Sequence, residues 1–195
     1  MKNLFKKSLL ASGVALLLTG CGSTEAEPQQ QSMQTRQDSH LASCEEPEAT
    51  ELLEVAGHAC VHGDFGPFQP VDAAPLGTYP FVDVSIPHIA YVISLPANAS
   101  AGGWGGSVSF IPEASGEYAF LLSRLRDLRI FNGTTEVARE CRVQVPEETC
   151  SSLSTAVVAA LQAGVEYRLE FTSTKANDSR FTLVIEEAAH SEEVP

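Results

Sequence analysis

The densest run of side chains able to hold or transfer something is His58-Ala59-Cys60-Val61-His62-Gly63-Asp64. Two imidazoles separated by three residues meet on one face if the segment is helical, and can also converge in a turn. Neutral imidazole is a ligand for Zn²⁺, Cu²⁺ or Ni²⁺, but two such donors do not complete a coordination shell. His88, set after Pro87 at the mouth of an apolar run, is the best-placed third donor, with Glu186, Asp64 and Asp83 as carboxylates behind it. The expected metal set is therefore His58, His62, His88 and Glu186, with Zn or Cu as the ion. The competing assignment gives His62 and His88 to backbone carbonyls at a sheet corner. Catalytic patterns are missing: H-x-x-x-H lacks the intervening Glu of zinc peptidases, no G-x-S-x-G occurs, and Gly102 to Gly106 has no phosphate-loop Lys. The expectation is a non-enzymatic binding protein.

A second candidate surface is aromatic. Trp104 and Tyr79, with Phe65 and Phe68, could form a platform for a sugar ring, which would make the chain a carbohydrate-binding, adhesion or accessory module. Such rings also close the open end of a sandwich core.

Four cysteines other than Cys21 are present: Cys44, Cys60, Cys141 and Cys150. An even number outside the cytosol suggests two disulfides, for which three connectivities exist. The local pairs, Cys44 with Cys60 and Cys141 with Cys150, are expected; each closes a loop of about 10 to 17 residues and would contribute ~2 to 3 kcal/mol. A cysteine metal site would want the closer spacing of C-x-x-C, which is absent.

These groups are expected outside a membrane. Lys2, Lys6 and Lys7 precede an uncharged run from Leu9 to Leu18, the pattern of a removable secretion segment over residues 1–20. The run falls short of the ~20 apolar residues a permanent span needs. Leu18-Thr19-Gly20-Cys21 resembles the lipobox of bacterial lipoproteins, and that resemblance implies a diacylated, palmitate-bearing Cys21 as a membrane anchor. Gly22, by likeness to lipoprotein sorting rules, implies the outer membrane or cell surface. The chain has a formal charge of -13, and loss of three lysines with residues 1–20 would take it to -16. Such a surface repels nucleic acid and anionic headgroups, leaving cations, basic proteins or an unidentified ligand as partners.

Residues 21–43 are polar and read as a tether. Residues 44–57 suggest a short helix or loop, with Pro47 in the first turn and Gly57 as its stop. From residue 58 to 187, short alternating runs are punctuated by Gly, Pro, Asn and Asp. Val165, Tyr167, Leu169 and Phe171 alternate with Glu166, Arg168, Glu170 and Thr172, and Phe181, Leu183 and Ile185 repeat the pattern. Ala156 to Leu161 reads as a strand, and Asn132-Gly133 as a tight hairpin turn. About seven strands of this kind predict a mainly β chain, a single antiparallel, jelly-roll-like β-sandwich. Residues 188–195 form an acidic tail.

Four stretches, Ala59-Cys60-Val61-His62 with Gly66-Pro67, Pro87-His88-Ile89-Ala90-Tyr91, Gly116-Glu117-Tyr118-Ala119-Phe120 and Ala163-Gly164-Val165-Glu166-Tyr167-Arg168-Leu169, resemble a group of uncharacterised bacterial lipoproteins. Residues 58–187 also look like the bacterial pre-peptidase C-terminal β-sandwich. The resemblance implies a sandwich with a binding or accessory role, and no particular activity.

Overall fold

The computed structural model describes residues 43–189 except 47, 80, 81, 125 and 126. The secretion segment of residues 1–20, Cys21, the tether up to residue 42 and the tail from residue 190 lie outside the described residues. In chain order the elements are α1 (Glu48–Phe65), β1 (Phe68–Asp72), β2 (Ala74–Pro75), β3 (Ala90–Ser94), β4 (Trp104–Phe110), β5 (Gly116–Leu122) and β6 (Asp127–Asn132). β7 (Thr135–Val137), β8 (Cys141–Gln144), β9 (Thr155–Leu161), β10 (Tyr167–Ser173), a short 3₁₀ turn (Ala176–Asp178) and β11 (Arg180–Ala189) follow.

The strands make a six-stranded sheet, β1-β3-β11-β5-β9-β8, and a five-stranded sheet, β2-β4-β10-β6-β7. β3 pairs with β11, β4 with β10, β5 with β9 and β6 with β7, all antiparallel. With the short strands β1, β2 and β8 set aside, the first pairs with the last and the second with the second-to-last, one long ribbon folded across two sheets as in a jelly roll. The described strands number eleven against the about seven expected, the short edge strands β1, β2 and β8 among them, and β1 beside β3 is a parallel pair. The Asn132-Gly133 turn is displaced by one residue: Asn132 pairs with Thr135, and Gly133, at φ 59°, leads the two-residue loop.

Alternation places the core. Tyr91, Ile93, Phe120, Leu122, Ile130, Leu169, Phe171 and Leu183 meet between the sheets, each excluded from water. Hiding each large side chain contributes ~1.5 to 3 kcal/mol. The residues between them do not all face solvent. Ala90, Ala119, Leu121, Ala156, Val158 and Val184 form a second buried cluster with Leu52, Ala56, Ala59 and Cys60 of α1. The described residues are thus three layers deep, with α1 lying on the outer face of the six-stranded sheet, where three alanines allow a helix to approach.

This packing explains the largest departure from the expected boundaries. The helix does not stop at Gly57; it runs on to Phe65, because burial of Ala59 and Cys60 outweighs the ~1 kcal/mol that a helical glycine costs. Gly63 is needed for contact, since a Cβ there would lie 2.6 Å from Ser152 Oγ. The true stop is Gly66, at φ 77°, whose N–H donates to the His62 carbonyl at 2.8 Å in a left-handed cap, with Pro67 next. At the other end of the fold, Ala188 and Ala189, expected in the tail, belong to β11. Among the described residues no helix is long and apolar enough to cross a membrane.

The expected disulfide pairing is overturned. The bonds are Cys44–Cys141 and Cys60–Cys150, spanning 97 and 90 residues. The helical steps from Glu48 to Cys60 span ~18 Å, which carries Cys60 out of reach of Cys44. Cys44 instead lies beside β8, its N–H donating to the Arg142 carbonyl at 3.1 Å. Both bonds therefore fasten the α1 segment, one before its first turn to β8 and one near its last turn to the connection between β8 and β9.

Candidate metal centre

Period and register bring the four expected donors together. Glu186 follows Val184 by two residues on β11, so it shares the sheet face that α1 covers. β11 and β3 pair with Leu183 opposite Tyr91, and His88 lies three residues before Tyr91, in the turn that leads into β3. His58 and His62, one helical turn apart on α1, stand over that pair. The ring centroids are 5.3 Å apart for His58 and His62, 5.6 Å for His58 and His88, and 5.0 Å for His62 and His88.

The donor atoms are closer still. His88 Nδ1 is 3.2 Å from His62 Nε2, His58 Nδ1 is 3.6 Å from Glu186 Oε2, and His62 Nε2 is 3.9 Å from Glu186 Oε1. One donor atom from each of the four residues can be chosen so that all lie within 4.8 Å of one another. Ligands about 2.0 to 2.1 Å from a tetrahedral Zn²⁺ stand ~3.3 Å apart, so small side-chain adjustments would close these donors on one ion.

Glu186 and His62 are 10% and 15% exposed, whereas His58 is 57% exposed. Glu186 Oε1 and His62 Nδ1 are two of the three buried polar side-chain atoms, among the described residues, that have no hydrogen bond. An unsatisfied buried carboxylate oxygen costs ~1 to 3 kcal/mol or more, and a divalent cation is a partner that removes that cost. His62 and His88 are not spent on carbonyls, as the competing assignment had it; they face each other.

The backbone at His88 is the second unusual feature. It is the one residue other than glycine with a positive φ, 59°, among the described residues. Left-handed backbone costs an L-residue ~1 to 2 kcal/mol, so a side chain there is retained against a backbone preference. The loop that carries it is pinned by Tyr91, whose hydroxyl accepts from the Ile86 N–H at 2.9 Å and donates to the Ile86 carbonyl at 3.1 Å. Burial holds the Tyr91 phenol above its ordinary pKa, the Ile86 bond opposes this, and the Asp83 charge adds to it. The sequence marked Tyr91 only as the end of the Pro87-His88-Ile89-Ala90-Tyr91 stretch, and nothing there gave its hydroxyl a role.

The other expected carboxylates are elsewhere. Asp83 accepts from the Ser85 N–H at 3.0 Å and from the Ser85 hydroxyl, closing its own turn. Asp64 is exposed on the last turn of α1, 3.6 Å from the Cys60 sulfur. Cys44 and Cys141 approach Glu48, but their sulfurs are joined to each other and provide no thiolate. Glu48, Glu117 and Glu140 also converge; the Glu117 carboxyl is held above the usual range by burial first, then by Glu140 and Glu51.

The aromatic platform is not formed. Trp104 begins β4 opposite Ser173, and it packs on the core. Tyr79 is exposed, its hydroxyl donating to Glu166, next to the other end of β10. Six strand residues separate the two places, ~20 Å.

A jelly-roll sandwich with one disulfide-fastened helix, and a three-histidine, one-carboxylate cluster between helix and sheet, defines the class of this molecule. No protein-family model matches the chain, and no curated protein matches it.

Proposed function

We propose that this protein is a lipid-anchored, extracytoplasmic binding protein that holds a divalent transition metal through His58, His62, His88 and Glu186. The observation that carries the reading is the convergence, from α1, the 82–89 loop and β11, of four donors around a nine-tenths-buried carboxylate oxygen that no hydrogen bond satisfies. Three imidazoles and one carboxylate suit Zn²⁺ or Cu²⁺. Four protein donors fill a tetrahedral shell, the arrangement that retains an ion, whereas hydrolytic zinc sites keep one position for water. A non-catalytic role follows from this, and the likeness of residues 58–187 to accessory sandwiches agrees with it. Disulfides fit an oxidising compartment, and an acylated Cys21 would hold the domain at the outer membrane or cell surface.

The test is thermal melting of the chain with and without Zn²⁺ or Cu²⁺. At a hundredfold excess over the dissociation constant, binding adds ~2.7 kcal/mol, a rise of about 5 to 10 °C for a domain this size. His62→Ala and Glu186→Ala should abolish the rise, and His58→Ala should reduce it. No rise with either ion, or a rise that survives both substitutions, overturns the reading. For the anchor, Cys21→Ala should move the protein from the membrane fraction to the soluble one.

A further inference from the structure

Glu186 and its neighbour Glu187 serve opposite faces of β11. Glu186 approaches His58 and His62 of α1, whereas Glu187, two residues beyond Ile185 and paired with Tyr118, lies on the inter-sheet side. There it lines a cleft of ≈ 360 Å³ at the end of the sandwich, a volume within the ~300 to 1,000 Å³ of small-molecule sites. The floor is apolar, from Val84, Phe110 and Ile185. At the rim Ile86 and Ile111 are left 58% and 38% exposed, hydrocarbon that a ligand's apolar body would free of water.

The walls are set before anything binds. The Val84 N–H donates to the Ser109 carbonyl at 2.9 Å, the Ser109 N–H to the Val82 carbonyl at 3.0 Å, and the Ile111 N–H to the Ser85 hydroxyl oxygen at 2.7 Å. These bonds fasten the 82–89 loop to the end of β4, so a ligand need not order it.

Charge selects the ligand. Glu113 and Glu187 are exposed where they line the cleft, and its described lining contains no Lys or Arg. Both act on one phenol: burial raises the Tyr118 pKa, the Ala114 bond opposes this, and the Glu187 and then the Glu113 charges add to the rise. The single Tyr118 hydroxyl hydrogen is shared between the Ala114 carbonyl at 2.9 Å and Glu187 Oε1 at 3.2 Å. An anion here would meet like charges, and a neutral apolar body would leave the carboxylates with nothing gained.

We propose that this cleft binds a small organic ammonium ion, its apolar body against Val84, Ile86, Phe110 and Ile111 and its charged nitrogen towards Glu113 and Glu187. The inference does not use the metal, and metal-free protein tests it separately from the metal reading.

The experiment titrates phenethylammonium, its neutral counterpart phenethyl alcohol and the anion phenylpropionate into the metal-free, isotope-labelled full-length chain in nonionic detergent, read by amide chemical shifts. The ammonium should bind about threefold to thirtyfold more tightly than the alcohol, the range that two partly solvated carboxylates supply, and phenylpropionate should bind most weakly. Raising the salt concentration should erode the preference. Glu113→Gln with Glu187→Gln should bring ammonium and alcohol to equal affinity. Glu147→Gln with Glu148→Gln, the same loss of charge at exposed residues between β8 and β9, should leave the preference as it was. Ile86→Ser should weaken both ligands by a similar factor. The ligand series on the parent chain needs no variant to fold. Phenylpropionate bound as tightly as the ammonium, or no saturable shift with the ammonium, overturns the proposal. So does a preference that survives at Glu113 and Glu187, or one lost equally in the Glu147 and Glu148 control.

Discussion

Replacing His88 separates backbone strain from ligand function. At φ 59° the residue occupies a region where a Cβ is penalised by ~1 to 2 kcal/mol and glycine is not. His88→Gly and His88→Ala both remove the ring, and with it the 3.2 Å contact to His62, so they differ only in the Cβ. In metal-free protein the glycine variant should be more stable than the alanine variant by ~1 kcal/mol, or about 2 to 4 °C in melting temperature. Scanning calorimetry in the presence of a chelator measures this, with circular dichroism confirming that both variants keep their strands. In saturating Zn²⁺ the order should invert relative to the parent: neither variant should gain, and the parent should rise above both. An alanine variant as stable as the glycine variant would show that the left-handed backbone stores nothing. A full metal-induced rise in either variant would show that the ring at 88 is not a ligand.

Three further outcomes follow from the same structure. Cys60→Ser with Cys150→Ser should cost ~2 to 5 kcal/mol in urea denaturation and should weaken metal binding, because the bond fastens the helical segment that carries His58 and His62; unchanged metal affinity would contradict that coupling. Tyr91→Phe should cost ~1 kcal/mol or more and reduce the metal-induced melting shift, since Ile86 loses both of its hydroxyl contacts and the His88 loop its pin. Glu117 binds its proton more tightly folded than unfolded, from burial and then the Glu140 and Glu51 charges, so its stabilising share exists in acid and is lost as pH rises through its raised folded value. Glu117→Gln should therefore stabilise near pH 7 and lose that advantage near pH 3.5, compared by urea titration at the two values.

The parts of the molecule that follow a local period were legible in the sequence. Tyr167, Leu169 and Phe171, and Phe181 and Leu183, alternate because one sheet face meets the core, and they occupy β10 and β11 facing inward. The four expected donors come together for the same reason: a turn of helix joins His58 to His62, and two-residue steps align Glu186 with Val184. What depended on packing between distant segments was not legible. Gly57 and Gly63 look like helix breaks, and only the alanine-lined outer face of the sheet, far off in sequence, makes it favourable to carry the helix through them. Loop-closure entropy favours near cysteines, but it describes the unfolded chain, and an 18-residue helix places Cys60 beside Cys150. Trp104 and Tyr79 have the side chains of a sugar platform, yet strand register sets them at opposite ends of β10.

X-ray absorption at the zinc edge of the Zn²⁺-loaded chain measures the coordination shell itself. Three imidazole nitrogens and one carboxylate oxygen at about 2.0 to 2.2 Å, reverting to a water-like shell in His62→Ala, is the expected spectrum. A sulfur shell near ~2.3 Å, or an unaltered oxygen-only shell in parent and variant, would contradict the four-donor centre.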